Sequence, residues 1–264
     1  MSNLKNKKLF LLDMDGTIYL DNELFDGTID FLEYVKSIGG RYMFVTNNSS
    51  KSVDKYIEKL ASLGITACTD DFLTSTNATI THLRKKNYNK IYAFGTKSFQ
   101  TQLEDAKLPI TTYLEDDIDC LCMGFDTELT FQKLEDACIL LGRGVDYIAT
   151  NPDWVCPTWY GFVPDCGSVS EMLFNATKRR PLFIGKPQPA MVELALEKTG
   201  YTKEEAIVIG DRLYTDIACG VNAGIGSAFV LSGEGTLEDL KESETKPEFV
   251  FKNIREMLEK MQEQ

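Results

Sequence analysis

A chain of 264 residues with 43% hydrophobic and 26% charged residues has ordinary globular composition, and its length suits one large domain or two unequal ones. Against 28 Lys and Arg stand 40 Asp and Glu, a net charge of −12 that argues against sequence-nonspecific nucleic-acid binding and against anionic membrane surfaces. No apolar run approaches the roughly 18 residues a membrane span needs. The polar start, residues 1–8, leads straight into a strand and not into a signal-peptide apolar region, so a cytoplasmic location is expected.

In chain order, short apolar runs alternate with longer amphipathic stretches. The runs predict strands near 8–13, 41–46, 90–94, 118–124, 145–149, 182–184, 206–210, 226–231 and 248–251. Between them, helices are predicted near 27–38, 50–62, 76–86, 97–106, 130–141, 168–177, 188–199, 214–222 and 252–262. Such alternation builds parallel βαβ units around a doubly wound sheet covered on both faces. Residues 151–167 differ in texture, holding both tryptophans, Trp154 and Trp159, and three prolines. They read as a long ordered loop, either a functional surface with Trp154, Trp159 or Tyr160 as stacking groups, or an aromatic cluster that merely pins the loop.

Seven cysteines at 68, 120, 122, 138, 156, 166 and 219 form no CxxC pair and no zinc-ligand spacing, and read as buried thiols. His82, the single histidine, lies in a helical stretch with nothing catalytic beside it, which disfavours Ser-His-Asp and Cys-His chemistry. Carboxylates are left to do the proton work.

Four strand ends carry those groups. The run Leu9–Leu12 stops at Asp13, with Asp15 two residues on and Gly16 and Thr17 following at the turn. Ligands of open α/β sheets bind just past such carboxyl ends. Two neighbouring carboxylates call for a cation, a shared proton or both, although a structural turn with a capping aspartate has the same local pattern. The second strand ends at Thr46, Asn47 and Asn48, with a helix expected to begin near Ser50. Free N–H groups there and the Thr46 hydroxyl make an anion site, and capping by Asn48 or Ser49 is compatible with it. At the third, Gly185 and Pro187 clamp Lys186, whose charge suits a phosphoryl oxygen. The fourth run ends at Gly210 and Asp211, with Asp216 five residues on in the first helical turn. Asp211 is favoured as a metal ligand, whereas for Asp216 capping is the stronger reading and orienting the metal shell the other. Hard oxygen ligands from Asp13, Asp15 and Asp211 suit Mg²⁺ and suit zinc poorly.

These four motifs, Asp13-Met14-Asp15-Gly16-Thr17, Thr46, Lys186 and Gly210-Asp211 through Asp216, resemble in this order the signature of the haloacid dehalogenase superfamily, and the resemblance covers essentially the whole chain. Only 33 positions separate Asp13 from Thr46, too few for a sizeable inserted domain, whereas 140 separate Thr46 from Lys186. The insertion therefore lies between the second and third motifs, as in the subclass with an α/β C2-type cap. Within it, Thr46–Ser49, Asn151-Pro152-Asp153 and Gly185-Lys186-Pro187 resemble the NagD-like (type IIA) sugar-, nucleotide- and p-nitrophenyl phosphatases. The resemblance implies a Rossmann-like core of residues 1–88 and 181–264 and a cap of residues 89–180.

It further implies a Mg²⁺-dependent phosphatase for small phosphorylated metabolites. Asp13 is the implied nucleophile, forming an aspartyl phosphate. Asp15 is the acid and base, with its backbone carbonyl on the metal, and Thr46 and Lys186 hold the phosphoryl oxygens. Asp211 completes the metal shell, with Gly16 and Asp216 supporting it, and Asn47, Asn48, Asn151 and Asp153 are candidate substrate contacts. An acid at position 15 separates phosphatases and mutases from dehalogenases and P-type ATPases of the superfamily. The alternatives are a phosphotransferase such as a phosphomutase, for whose usual cap there is no room after Asp13, and a non-hydrolytic phosphoacceptor module. Relatives acting on pyridoxal phosphate carry a cap-loop histidine that Trp154–Pro157 lacks, so that substrate is not carried over. Caps of this family commonly mediate homodimers, and no diagnostic patch for one is visible here.

Overall fold

The structure, a computed structural model, describes residues 4–158 and 160–263; Trp159 lies outside the described residues. The chain forms two compact units. One comprises Met1–Thr46, Ile57–Leu73 and Lys186–Gln264, the other Asn47–Tyr56 and Thr74–Gly185.

The first unit is built on a six-stranded sheet. Leu9–Leu12 lies near its middle, flanked by Arg41–Thr46 and the edge strand Phe72–Thr74 on one side, and by Ala206–Gly210, Gly226–Val230 and Phe249–Phe251 on the other. Counted along the chain, this is the order 3-2-1-4-5-6 of a doubly wound dinucleotide-binding sheet. All four residues of Leu9–Leu12 are buried, because parallel neighbours flank the strand on both edges and helices cover both faces. Connections leave in opposite directions from the first and fourth strands, so a crevice opens beyond their carboxyl ends. Helix Thr28–Ser37 packs on the sheet through Phe31, whose ring meets Phe10 edge-on at 5.6 Å. Helix Ile254–Gln262 buries Ile254, Met257, Leu258 and Met261, the spacing of one apolar stripe.

The second unit has its own sheet of five parallel strands in the order Leu182–Phe183, Asp146–Ala149, Cys120–Met123, Ile91–Phe94, Ile110–Thr111. Leu121, Met123, Phe94 and Ala149 share a core with Leu140 and Leu141 of helix Phe131–Arg143 and Leu173 of helix Cys166–Thr177.

Several expectations need correction. The stretch 151–167 is not one long loop: Val155–Thr158 and Gly161–Pro164 pair antiparallel, Thr158 opposite Gly161. Pro157 and Pro164 are tolerated because both strands of a lone hairpin are edges. The helix expected from Ser50 begins at Val53; Ser50 instead donates its backbone N–H (3.0 Å) and its hydroxyl (2.7 Å) to Asn48 Oδ1. The helix expected at 214–222 opens with a π turn, Leu213–Ile217, before α-helix Ala218–Ala223. Strand Phe72–Thr74 was too short to register as a run. Helix Leu237–Glu242 carried a legible start in the reciprocal Thr236–Asp239 cap. Cys68 is exposed, and Cys138 and Cys156 are half-buried, so only four of the seven thiols are fully interior. No helix among the described residues is long and apolar enough to cross a membrane.

Candidate active site

In the first unit, four of the singled-out side chains meet beyond the carboxyl ends of adjacent strands. Asp13 follows Leu9–Leu12 and donates its N–H to Ile209 O at 2.9 Å, which ties it to the strand ending at Gly210. The Lys186 ammonium lies 2.6 Å from Asp13 Oδ1, 2.6 Å from Asp216 Oδ1 and 3.0 Å from Val45 O. Its side chain is only 4% exposed. Burial alone would lower the pKa of this lysine, but the Asp13 and Asp216 carboxylates outweigh it and hold the group charged well above the usual range.

Asp13, Asp211 and Asp216 each bring a carboxylate oxygen within 4.8 Å of the others. Burial, reinforced by Asp216, pushes Asp13 well above the ordinary carboxylate range in spite of Lys186. Burial and Asp216 likewise raise Asp211 to about 7, although the Glu234 N–H and Arg212 pull the other way. Were all three acids ionised, the one ammonium would leave a local excess of two negative charges, and this repulsion adds to burial in raising Asp13 and Asp211. Asp211 Oδ2 accepts the Glu234 N–H at 2.7 Å, whereas its Oδ1 is buried without a hydrogen bond. A buried carboxylate oxygen without a donor, in an all-oxygen cluster of three acids whose ionisation a cation would favour, fits a hard divalent cation.

The π turn explains why Asp216 belongs to this group. Ile217 N–H reaches back five residues to Arg212 O at 3.1 Å, and the widened turn lets Asp216 Oδ2 accept the Arg212 N–H at 3.1 Å. Asp216 thus caps its own turn through one oxygen and pairs with Lys186 through the other. The Asp15 side chain is outside the three-acid cluster. Thr46 is buried as the last residue of its strand.

Sequence reasoning missed the segment 232–235. Ser232 donates its hydroxyl to Gly16 O (2.7 Å) and Gly235 its N–H to Asp211 O (3.0 Å), and Glu234 Oε2 forms an ion pair with Arg212, 2.7 Å from Nε. A Cβ on Gly16, whose φ is +85°, or on Gly233 would run into the Asp211 carboxylate, so both positions are glycine because the acid is there. Two glycines in Gly233-Glu234-Gly235 after an apolar strand were the available signal.

The second unit holds Asn47, Asn48, Asn151 and Asp153. Asn47 Nδ2 donates to Asp153 Oδ1 (3.0 Å), Asn151 Nδ2 donates to Asn47 O (2.9 Å), and Asn151 Oδ1 accepts the Asp153 N–H (3.0 Å). These three are buried and bound to one another; Asn48, half-buried, bonds Ser50 and lies 3.9 Å from Cys156 Sγ.

Asp165 adjoins this network and was not singled out, although an aspartate just before a helix is a recognisable cap. It accepts the Cys166 N–H at 2.5 Å. Burial, aided by the Asp153 carboxylate, raises it from 3.8 to about 7. The folded protein therefore holds this proton over a pH range where the unfolded chain has lost it. Stability falls as pH climbs from about 4 to about 7 and stays reduced above, by at most about 4 kcal/mol at this site. Asp165→Asn, which keeps a capping oxygen, is expected to gain melting temperature over the parent progressively between pH 5 and pH 8. A pH-independent difference in thermal melts would contradict this.

The chain matches a haloacid dehalogenase-like hydrolase family model over residues 10–109 and a HAD-hydrolase-like model over residues 183–257. It is 33% identical to an acid sugar phosphatase of Staphylococcus aureus (strain MRSA252) over 260 residues, covering 98% of this chain and 100% of the relative. Among solved structures it superposes on a 4-nitrophenylphosphatase from Thermotoga maritima with a TM-score of 0.92 at 43% identity, over 98% of both chains. A glycerol phosphate phosphatase from Mycobacterium tuberculosis, in complex with calcium, gives a TM-score of 0.89 at 29% identity, over 96% of this chain and 75% of that one.

Proposed function

The chain belongs to the haloacid dehalogenase superfamily, among its NagD-like phosphatases, and from that premise we propose that it hydrolyses small phosphate monoesters through a phosphoaspartate formed on Asp13. The observation that carries the reading is Lys186, held between Asp13 and Asp216 with Asp211 beside them.

Lys186 aims Asp13 by holding Oδ1, and its charge offsets the repulsion between a carboxylate and an approaching phosphate dianion. As an Asp13 oxygen bonds to phosphorus, the ester P–O bond breaks and Asp15 protonates the departing alkoxide. Asp15, now a carboxylate, takes a proton from water as that water attacks phosphorus, and Asp13 is released with inorganic phosphate. Thr46 supplies a hydroxyl to the phosphoryl oxygens. Mg²⁺ is the divalent ion assigned to Asp13, Asp211 and the Asp15 carbonyl, where it supplies charge against the phosphoryl oxygens. Asp216 and Gly16 support that shell, the first by fixing Lys186 and the second by leaving room for Asp211.

The cap, residues 89–180, is assigned the choice of leaving group. The mutual hydrogen bonds of Asn47, Asn151 and Asp153 favour a scaffolding part for them, with the half-buried Asn48 as the more exposed polar contact. The names of the relatives point to sugar and glycerol phosphates as physiological substrates, with nucleoside monophosphates as the competing class.

Turnover of p-nitrophenyl phosphate that EDTA abolishes and Mg²⁺ restores is the expected result, with sugar or glycerol phosphates ranking above nucleoside monophosphates by kcat/KM. Hydrolysis in ¹⁸O-water should place the label in the released phosphate. Transfer to a second substrate molecule without label would favour a mutase, and a stable phosphoenzyme without release would favour a phosphoacceptor module.

A further inference from the structure

Both oxygens of Asp15 have side-chain neighbours. Lys59, in helix Val53–Ser62, brings its ammonium to 3.6 Å from Asp15 Oδ1. The same ammonium lies 3.7 Å above the ring centroid of Tyr19, and the Tyr19 hydroxyl lies 3.4 Å from Asp15 Oδ2. Tyr19 is fully buried. Its carbonyl accepts the Gly16 N–H at 2.8 Å, and its strand pairs with Glu23–Leu24, so the ring is a fixed post. The Lys59 ammonium therefore has a preferred seat on the face of an immobile ring, and that seat is beside one oxygen of Asp15.

As a contribution to stability such a pair is weak: Asp15 is 36% and Lys59 24% exposed, and partly solvated ion pairs yield little. Orientation is another matter. With an ammonium on one oxygen and a phenol near the other, the carboxyl plane of Asp15 has a set direction, and proton transfer depends steeply on that direction.

We propose that Lys59 and Tyr19 are positioning residues that aim Asp15 at the leaving-group oxygen; the inference rests on the reading of Asp15 as the acid. In the step they serve, the Asp15 proton moves to the ester oxygen as its bond to phosphorus breaks and the bond from Asp13 to phosphorus forms. Neither residue exchanges a proton.

Leaving groups differ in their need for that proton. p-Nitrophenolate departs with little help, whereas a glycerol alkoxide cannot leave unprotonated. The value of kcat/KM covers events only up to this P–O cleavage, so the ratio of the two substrates reads the acid step alone. Lys59→Met is expected to lower kcat/KM for glycerol phosphate about tenfold more than for p-nitrophenyl phosphate, within the range that general acids contribute. Tyr19→Phe, which keeps the ring, should show a smaller split of the same sign, and Lys59→Arg should return most of the loss. Asp15→Asn sets the scale with the largest split. An equal loss on both esters in Lys59→Met, with a split in Asp15→Asn, overturns the positioning role and leaves the acid in place. No split in Asp15→Asn overturns the acid assignment itself, and the positioning role with it. Tyr19→Phe and Lys59→Arg keep the test readable if Lys59→Met fails to fold.

Discussion

Asp13→Asn is expected to lower kcat on p-nitrophenyl phosphate by at least about 10⁴-fold while leaving the protein as stable as the parent, or more so, in metal-free buffer at neutral pH. The activity loss follows from chemistry: an amide of the same shape does not displace an alkoxide from phosphorus. The stability result follows from electrostatics. Burial, Asp216 and Asp211 hold the Asp13 carboxyl well above its ordinary pKa, so the folded state binds a proton that the unfolded chain releases near pH 4. Stability is lost as pH rises through that interval, and a neutral asparagine avoids the loss. The melting temperature of the variant relative to the parent, both in EDTA, should therefore increase from pH 5 to pH 8. Saturating Mg²⁺ should reverse the ranking, because the parent alone presents the full set of ligands. An active site that destabilises its own fold would then be measured directly. Residual turnover within a hundredfold of the parent would exclude Asp13 as the nucleophile.

How much of this was legible beforehand differs from residue to residue. Asp13, Thr46, Lys186 and Asp211 could be picked out because each ends or follows an apolar run. A strand covered on both faces, such as Leu9–Leu12, has no polar alternation to disguise where it stops. The sheet order then brings the first and fourth strands side by side, which no local pattern states, and this is why Asp13 and Asp211 meet across 198 positions of sequence. Asp216 was half-read. Its place in a first turn suggests capping, but the π turn that also directs it to Lys186 rests on wide backbone hydrogen bonds, Ile217 to Arg212 and Ala218 to Leu213, that composition does not encode. Segment 232–235 is hard to read because much of its contribution is backbone: the Glu234 N–H would serve Asp211 with another side chain in place, and only the glycines at 233 and 235, where a Cβ would meet Asp211, leave a trace. The hairpin at 155–164 reads as a loop in the sequence because its prolines argue against a strand inside a sheet, while a two-stranded ribbon is all edge.

Lys186→Met tests the other half of the charge balance, and its expected effects on activity and on stability are both large. The ammonium satisfies Asp13, Asp216 and the Val45 carbonyl at once in a setting almost without water. Removing it leaves the buried Asp216 and the largely buried Asp13 without their cation, next to a third acid, and breaking a buried ion pair from one side typically costs about 3–5 kcal/mol. A marked fall in melting temperature is expected, larger at pH 8 than at pH 5, because protonating the acids at lower pH removes the charge that has lost its partner. Turnover should drop at least about 10³-fold, the scale on which losing a preorganised charge is felt. Mg²⁺ should recover part of the stability and little of the activity, since a metal compensates the acids but does not aim Asp13. Lys186→Arg keeps the charge in a broader fork and should melt between the parent and the methionine variant while remaining poorly active. The deciding measurement is the double variant. If the cost of Lys186→Met comes from stranded carboxylates, adding Asp13→Asn removes one of them and the double variant must be more stable than Lys186→Met alone. Additive losses would mean that the lysine stabilises by packing its stem and not by balancing the charge of the acids.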